Sequence, residues 1–487
     1  MGNTVAHSFL RSRLPSKRKT SIRDYGREET DVEDEMFVPK RRKLMSTSKY
    51  IYKTLFEEGQ GSDVKIIALN REWNLHRIYL SQSPYFNTMF HGLWVETTQS
   101  EINMGIEDEN VTVQALHKVF GSLYKDEIQI DSFEAVSILA CAILLQLDDL
   151  IHQSVEVMKD SINIDTALPY YEASELYGLK EVKSISLDWL HHNMVLKVNT
   201  SPVHLAQISC DLMAELISSP ELVVVQTEFS LYLMLKVWLF LKEHPCESFD
   251  NAVSRADDFF KLRSGDVPFL LTNAGKNYHK AFRALRLKHL VAHHVDLEII
   301  ESDNIIPIDW FFPVFKTQWY HMLRIDQGAD QGPRQATDEE FKRDCVRCGR
   351  ILKTDTQHSW RWTGFSFGFD VVIYYSNGAF KLHRFFKTDG DLPIVFSAAD
   401  VISLRAKKRN LMFRISVFSL DKNGRLLSKA ETVIDSASLF KNEQVTVLNL
   451  PMEMKFPIVV SANFLLTTPL QSSDGIMPVV RNLEEYS

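Results

Sequence analysis

Residues 61–90 read GSDVKIIALNREWNLHRIYLSQSPYFNTMF, and the changes of pattern inside this stretch decide how the first half of the chain folds. Val64 to Leu69 is an apolar, β-branched run that predicts a strand. Asn70-Arg71-Glu72 predicts a turn, and Trp73 and Leu75 a second short strand. Ser83 has the side chain of an N-cap, and Pro84 fits the first helical position, where a missing N–H costs nothing. Phe86, Met89 and Phe90 then recur at helical spacing, and Gly92 is placed to stop the helix. Short strands alternating with short helices predict a compact α+β domain.

Downstream, an extended stretch near Ile102 to Ile106 precedes a helical stripe through Val113, Leu116, Phe120 and Leu123. Asp131 with Glu134 three residues on predicts a capping box opening a long helix. From about 160 to 320 the pattern is helical: Leu168, Tyr171, Leu176 and Leu179, then Leu212, Leu216 and Ile217, then Phe229 to Leu241. Helices in series without strands imply a bundle or solenoid. Asp326 to Glu340 (DQGADQGPRQATDEE) has no large apolar residue and predicts a linker. Beyond it the period changes to two through Trp360, Trp362, Phe365, Phe367, Phe369, Val371 and Ile373, read as strand running on to Tyr375. Asn377-Gly378 and Asn423-Gly424 are hairpin dipeptides. An all-β, sandwich-like domain follows.

With 487 residues the chain exceeds one core, and 45% hydrophobic and 24% charged residues are ordinary globular usage. The net charge of −8 argues against nucleic-acid binding, which draws its affinity from neutralised phosphates. Five cysteines (Cys141, Cys210, Cys246, Cys345 and Cys348) suggest free thiols in a reducing compartment. The sequons at Asn110 and Asn199 then carry little weight. The apolar runs Ser137–Leu147 and Leu231–Leu241 are too short to cross a bilayer, so no membrane span is expected. No secretory signal is visible, because Arg11 and Arg13 interrupt the first apolar positions.

The residues of the opening stretch resemble the BTB domain. Gly61-Ser-Asp-Val-Lys-Ile66 looks like its first strand. Leu75-His76 followed by Ile78-Tyr-Leu-Ser-Gln-Ser-Pro-Tyr-Phe86 looks like its His before a helix ending in S-x-Y-F. The resemblance places Asp63, His76 and Tyr85 as structural residues, the first two in a charged core. Trp94-Val95-Glu96 falls where cullin-3-binding BTB domains carry an apolar–x–Glu motif: an apolar side chain can fill a pocket while the carboxylate adds a directional contact. Trp94 is bulkier than the Met, Leu or Phe often found there, and the plainer reading is that it covers a domain edge. The helical region resembles the BACK segment that follows BTB in such adaptors, yet no period of about 50 residues leads into kelch blades.

The whole layout, with Cys345-Val-Arg-Cys348 and Trp360-Arg-Trp362, resembles the germ cell-less family. The expected organisation is a charged tail over 1–48, BTB over 49–160, a BACK-like helical domain over 161–325, a linker over 326–354, a β-rich domain over 355–470 and a tail over 471–487. The resemblance implies a non-catalytic substrate adaptor of a cullin-3 ubiquitin ligase, homodimeric through BTB, that binds its protein substrate through the β domain. It further implies a nuclear protein, often at the nuclear envelope, acting in germ-cell development. The alternative is a nuclear-envelope scaffold or transcriptional corepressor that uses BTB only for self-association.

The remaining motifs have bland readings beside sharp ones. In the tail, basic residues from Arg11 to Lys19 are followed by an acidic stretch, Glu28 to Glu35, and then Lys40-Arg41-Arg42-Lys43 after Pro39. That tetrapeptide has the form of a nuclear import signal, or is a solvated charge run. Met1-Gly2-Asn3-Thr4 suggests N-myristoylation of Gly2, although Ala6 departs from the usual pattern; neighbouring Lys and Arg would supply the second membrane signal. Cys345 and Cys348 are half a zinc site, with His358 and His383 the nearest further ligands at no standard spacing; free thiols are preferred, and no metal or cofactor is expected. Gly364-Phe365-Ser366-Phe367-Gly368 fits the hydrolase elbow, but no helix follows it, so Ser366 is read as a strand residue. The pairs His191-His192 and His293-His294 have no motif around them.

Overall fold

Alternation over Val64–Leu75 builds a hairpin: β1 (Val64–Ala68) and β2 (Arg71–Leu75) pair antiparallel, Val64 opposite Leu75 and Ala68 opposite Arg71. The residues left between them, Leu69 and Asn70, have φ of 48° and 60°, the left-handed pair that a two-residue I′ turn needs. The turn therefore falls one residue earlier than expected, and Arg71 and Glu72 belong to the strand. β3 (Glu101–Asn103) adds parallel to the other edge of β1. A parallel neighbour demands a crossover, which includes the helices Arg77–Leu80 and Pro84–His91. The computed structural model describes residues 46–92, 98–125, 127–245, 250–263, 267–326, 336–362, 370–385, 408–440 and 442–467.

The core under this sheet joins Ile66, Leu75, Leu80 and Phe86 to Leu116, Val119, Phe120 and Ile138. Each such side chain contributes roughly 1.5–3 kcal/mol by leaving water. Ser83 caps its helix as expected, accepting the Phe86 N–H, while its hydroxyl donates to the Leu145 carbonyl at 2.6 Å. The Asp131–Glu134 capping box does not form. Glu134 is itself the N-cap position of the ten-residue helix Ala135–Leu144, and its carboxylate is taken by Lys118 at 2.6 Å.

The middle of the chain is helical, from Asp148–Asp160 to Phe312–Asp326. Its axis is Glu228–Glu243 (EFSLYLMLKVWLFLKE), apolar almost all round and buried on nearly every side, as such a pattern requires. Lys236 sits inside it because Asp303 accepts from its ammonium at 2.8 and 2.9 Å and Asp257 lies 2.5 Å away. Leu176, expected on a buried face, is exposed; Tyr170, Tyr171, Ala173 and Ser174 fill that role. Tyr177 ties this region to the first: its hydroxyl donates to Asp108 at 2.7 Å and accepts from the Asn110 amide at 3.1 Å.

Among the described residues the C-terminal part is two antiparallel sheets packed face to face, without closure into a barrel. One is ordered β10–β8–β12–β4 with β9 also on β8; the other is β11–β7–β6–β5. The strands are β4 (Val346–Leu352), β5 (His358–Trp362), β6 (Asp370–Ser376), β7 (Ala379–Phe385), β8 (Lys408–Leu420), β9 (Leu426–Glu431), β10 (Asp435–Phe440), β11 (Gln444–Asn449) and β12 (Ile458–Thr467). Ile373, Phe380 and Leu382 of the smaller sheet share one core with Ile415, Val417, Val460 and Phe464 of the larger. The molecule is multidomain α+β.

Two expectations need correction. The stretch 326–354 is not all linker: Thr337 and Glu340 form a capping box on helix Asp338–Asp344, and β4 follows. The physical reason is burial, since Phe341, Cys345, Cys348 and Leu352 are all inside. Nor does the aromatic alternation run straight from Trp360 to Tyr375. The chain reverses after Trp362 and returns as β6, with Trp362 opposite Val371 and His358 opposite Tyr375. In the expected N-terminal tail, Thr47 and Ser48 already belong to helix Thr47–Tyr50.

Candidate functional site

The Trp94-Val95-Glu96 motif lies in 93–97, outside the described residues; on either side of it in sequence, Phe90 and Gln99 are both contacted by Arg77. Helix Arg77–Leu80 begins after His76, whose side chain gives no cap. Asp63 supplies the missing acceptor from across the hairpin, taking the Arg77 backbone N–H at 2.8 Å. The Arg77 guanidinium then lies 4.6 Å from the ring centroid of Phe90, near the end of the helix before the motif. Its Nη2 donates to the Gln99 carbonyl just beyond the motif at 2.5 Å. Phe90 is buried in the core, so the clasp is anchored to the rigid part of the domain.

His76 is buried as expected. Its backbone N–H donates to the Tyr124 hydroxyl at 2.9 Å, and its ring nitrogens lie 3.2 Å from that hydroxyl and 3.1 Å from the Gln60 carbonyl. Burial raises the Tyr124 phenol pKa, so that hydroxyl stays protonated. Asp63 is not in a charged core: it is exposed and works as the helix cap. Tyr85 is half-buried, its ring edge-on to Phe86 at 5.1 Å. Gly2 and Lys40, Arg41, Arg42 and Lys43 lie outside the described residues, as do Cys246 and Ser366.

The four side chains considered for zinc are not brought together. Cys348 donates to the Ala462 carbonyl at 3.2 Å, and burial pushes its thiol well up. Cys345 accepts from Arg286 Nη1 at 2.9 Å. Burial raises its thiol too, outweighing that guanidinium. His358 turns to Thr354 and Thr356, and His383 sits on β7. Among the described residues no group of three or more His, Cys, Asp or Glu is placed to hold a metal ion.

What the sequence reading missed is the polar node welding the helical region to the sandwich. Glu228 is almost fully buried and receives Arg347 through Nη2 at 2.5 Å and Nε at 3.1 Å. Arg347 Nη1 donates to the Ile217 and Ser219 carbonyls, and the Arg286 backbone N–H reaches Glu228 at 2.9 Å. Burial alone would raise the Glu228 pKa; the Arg347 charge and hydrogen bonds, with Arg286, hold it below the usual carboxylate range. The available signal was a charge at the head of an apolar run, and an arginine between two buried cysteines.

Further contacts join the same halves. The turn at Asn423-Gly424 enters the helical region, where Trp189 Nε1 donates to the Asn423 carbonyl at 3.1 Å and Asn193 Nδ2 to the Gly424 carbonyl at 2.9 Å. Gln226 and Gly349 bridge backbone to backbone. Among the described residues, hydrogen bonds, several of them buried, join the helical region to the sandwich.

The BTB/POZ domain model matches residues 52–162. The chain is similar to Protein germ cell-less of Drosophila melanogaster, 38% identical over 98% of this chain and 87% of that protein. It is also similar to Germ cell-less protein-like 1 of Homo sapiens, 39% identical over 88% and 83%, and to the Mus musculus protein of that name, 38% identical over 90% and 83%. Among the described residues no helix is long and apolar enough to cross a membrane.

Proposed function

The chain belongs to the germ cell-less family of BTB proteins, and from that premise we propose that it is a substrate adaptor of a cullin-3 ubiquitin ligase with no catalytic chemistry of its own. The observation that carries the reading is the Arg77 clasp. It ties together Phe90 and Gln99, which flank the apolar–x–Glu tripeptide in sequence, and joining the flanks of a short motif lowers the entropy lost when it meets a partner pocket. In this reading Trp94 and Val95 provide the apolar contact and Glu96 the charge-assisted one.

The β sandwich is then the arm that holds the protein substrate, joined to the helical region through the Glu228–Arg347 node. BTB self-association would bring two such arms together and raise the local substrate concentration. We further propose that the charged tail ends at about residue 46, where helix Thr47–Tyr50 begins, that BTB follows to about 162, and that a BACK-like domain continues from there to 325. The sandwich is drawn to begin at the helix before β4, not at 355. Lys40–Lys43 would direct the chain to the nucleus and nuclear envelope in germ-cell development, with acylation at Gly2 as a membrane signal.

The test is calorimetry of full-length protein against the cullin-3 N-terminal domain, beside a Trp94→Ala/Glu96→Ala variant. Micromolar or tighter binding that weakens by at least ~2 kcal/mol, roughly thirtyfold, is the expected result. Absence of binding by the folded wild-type protein would sink the adaptor reading in favour of a scaffold that uses BTB for self-association alone.

A further inference from the structure

The first helix carries a positive pocket whose lining residues are separate from the Trp94-Val95-Glu96 motif. Lys49 and Lys53 stand one turn apart on Thr47–Tyr50 and its π-helical continuation Ile51–Glu57. Lys125 joins them from just beyond helix Val113–Ser122. With Ser48 and Tyr52 they line a surface pocket of about 320 Å³. Lys125 Nζ lies 4.5 Å from the Tyr52 ring centroid, so the ring fixes one ammonium over an apolar floor.

Among the described residues none of the three lysines has a carboxylate within ion-pair distance. Two acidic residues, Glu57 and Glu58, close the same helix. Glu57 acts on Tyr52, whose phenol pKa is raised by burial and then by that carboxylate, and neither makes an ion pair with the three lysines among the described residues. The pocket is therefore a site of uncompensated positive charge on a chain whose net charge is −8.

The complementary charge lies upstream in the same chain. Six of the eight residues from Glu28 to Glu35 (EETDVEDE) are acidic. Only residues 36–48 separate that stretch from Lys49, and thirteen extended residues reach about 43 Å. We propose that Glu28–Glu35 of this chain docks on the Lys49–Lys53–Lys125 pocket, closing the intervening residues, Lys40–Lys43 among them, into a loop.

Each exposed lysine–carboxylate pair is weak, and salt screens it. Two features make docking favourable here. The tether keeps the acidic stretch at high effective concentration. The three ammonium groups are already gathered by the fold, so fewer side chains lose freedom than in pairing with the tail's own Lys17, Lys19, Lys40 and Lys43. Docking is accordingly reversible by salt.

The test uses the full chain. Lysines are acetylated at low conversion with an activated ester and each site is followed by mass spectrometry. The comparison is with E28Q/E29Q/D31N/E33Q/D34N/E35Q, which leaves every lysine in place. Acetylation of Lys49, Lys53 and Lys125 is expected to rise about threefold or more in the variant. The same rise is expected in the wild type at about 1 M NaCl, where screening reaches about 3 Å, with Lys353 and Lys422 as unaffected controls. Equal rates in wild type and variant at low salt overturn the proposal. Carbodiimide coupling in a mixture of unlabelled and nitrogen-15-labelled protein identifies the source. Products between the acidic stretch and these lysines within single chains support it, whereas a statistical share of mixed-isotope products means that a second copy fills the pocket and overturns the intramolecular docking.

Discussion

Arg77 and Gln99 are joined across the segment that carries the candidate docking motif: Nη2 donates to the Gln99 carbonyl at 2.5 Å while the same guanidinium covers Phe90. A single side chain thus links the residues that flank that segment in sequence. Arg77→Ala removes both contacts but not the backbone N–H bonded to Asp63, so the helix start survives. Cullin-3 affinity is expected to fall about tenfold, or ~1.4 kcal/mol, with the far-ultraviolet circular dichroism unchanged. Wild-type binding matched by an equally tight Arg77→Ala would show that the clasp does not position the motif.

Glu228 and Arg347 make a stability prediction of the opposite kind. Arg347→Ala leaves a carboxylate in the interior with its main counter-charge gone, which costs roughly 3–5 kcal/mol. A paired Glu228→Leu/Arg347→Met replacement removes both charges and is expected to recover most of that loss. Urea unfolding followed by Trp fluorescence checks it; a double variant no better than Arg347→Ala would mean that Arg347's bonds to Ile217 and Ser219 carry the effect. Because the native Glu228 pKa is lowered, its contribution is present above the ordinary value of 4.5 and is lost as pH falls below it.

Much of the fold was legible because its signals are local. Ser83-Pro84, the stripe through Leu116 and Phe120, and the Asn-Gly dipeptides each report on a few neighbouring residues, and each lies where it was read. The failures share a cause: a partner distant in sequence overrides the local pattern. Glu134 looked like half of a capping box until Lys118 took its carboxylate. Phe341 to Leu352 looked like the end of a linker because what covers it, chiefly Met412, Leu465 and the β12 ladder, comes some 60 to 120 residues later. The Arg77 clasp was invisible for the same reason, since neither Phe90 nor Gln99 marks itself as its partner. The Trp94–Glu96 tripeptide was found by resemblance alone.

The two Asn-Gly turns should respond differently to the same substitution. Gly424 has φ of 83°, and a Cβ there would fall 2.3 Å from Asn193 Oδ1. Gly378 has φ of 73° with nothing within 4 Å of the added carbon. Gly378→Ala should cost only the left-handed strain, about 1–2 kcal/mol. Gly424→Ala adds a clash at the domain junction and should also speed amide exchange through Trp189–Lys197. Similar exchange in the two variants would argue that the Asn423-Gly424 turn does not hold the sandwich in place.

His289 gives the molecule a pH dependence separable from its carboxylates. Its Nε2 lies 2.9 Å from the Asp344 carbonyl and, in the neutral ring, donates to it. Burial pushes its pKa down from 6.5 to about 4, with the Lys288 charge acting in the same direction against that hydrogen bond. The unfolded chain therefore binds a proton between these values that the native state does not, so stability falls as pH drops from 6.5 toward 4. The slope from this one group approaches ~1.4 kcal/mol per pH unit. His289→Gln keeps a donor near the carbonyl and removes the titration. Its stability should fall more gently than that of the wild type between about pH 6 and 5, where the ordinary carboxylates remain ionised. Parallel urea-unfolding curves for the two proteins across that window would mean that His289 accepts its proton without opening the junction with helix Asp338–Asp344.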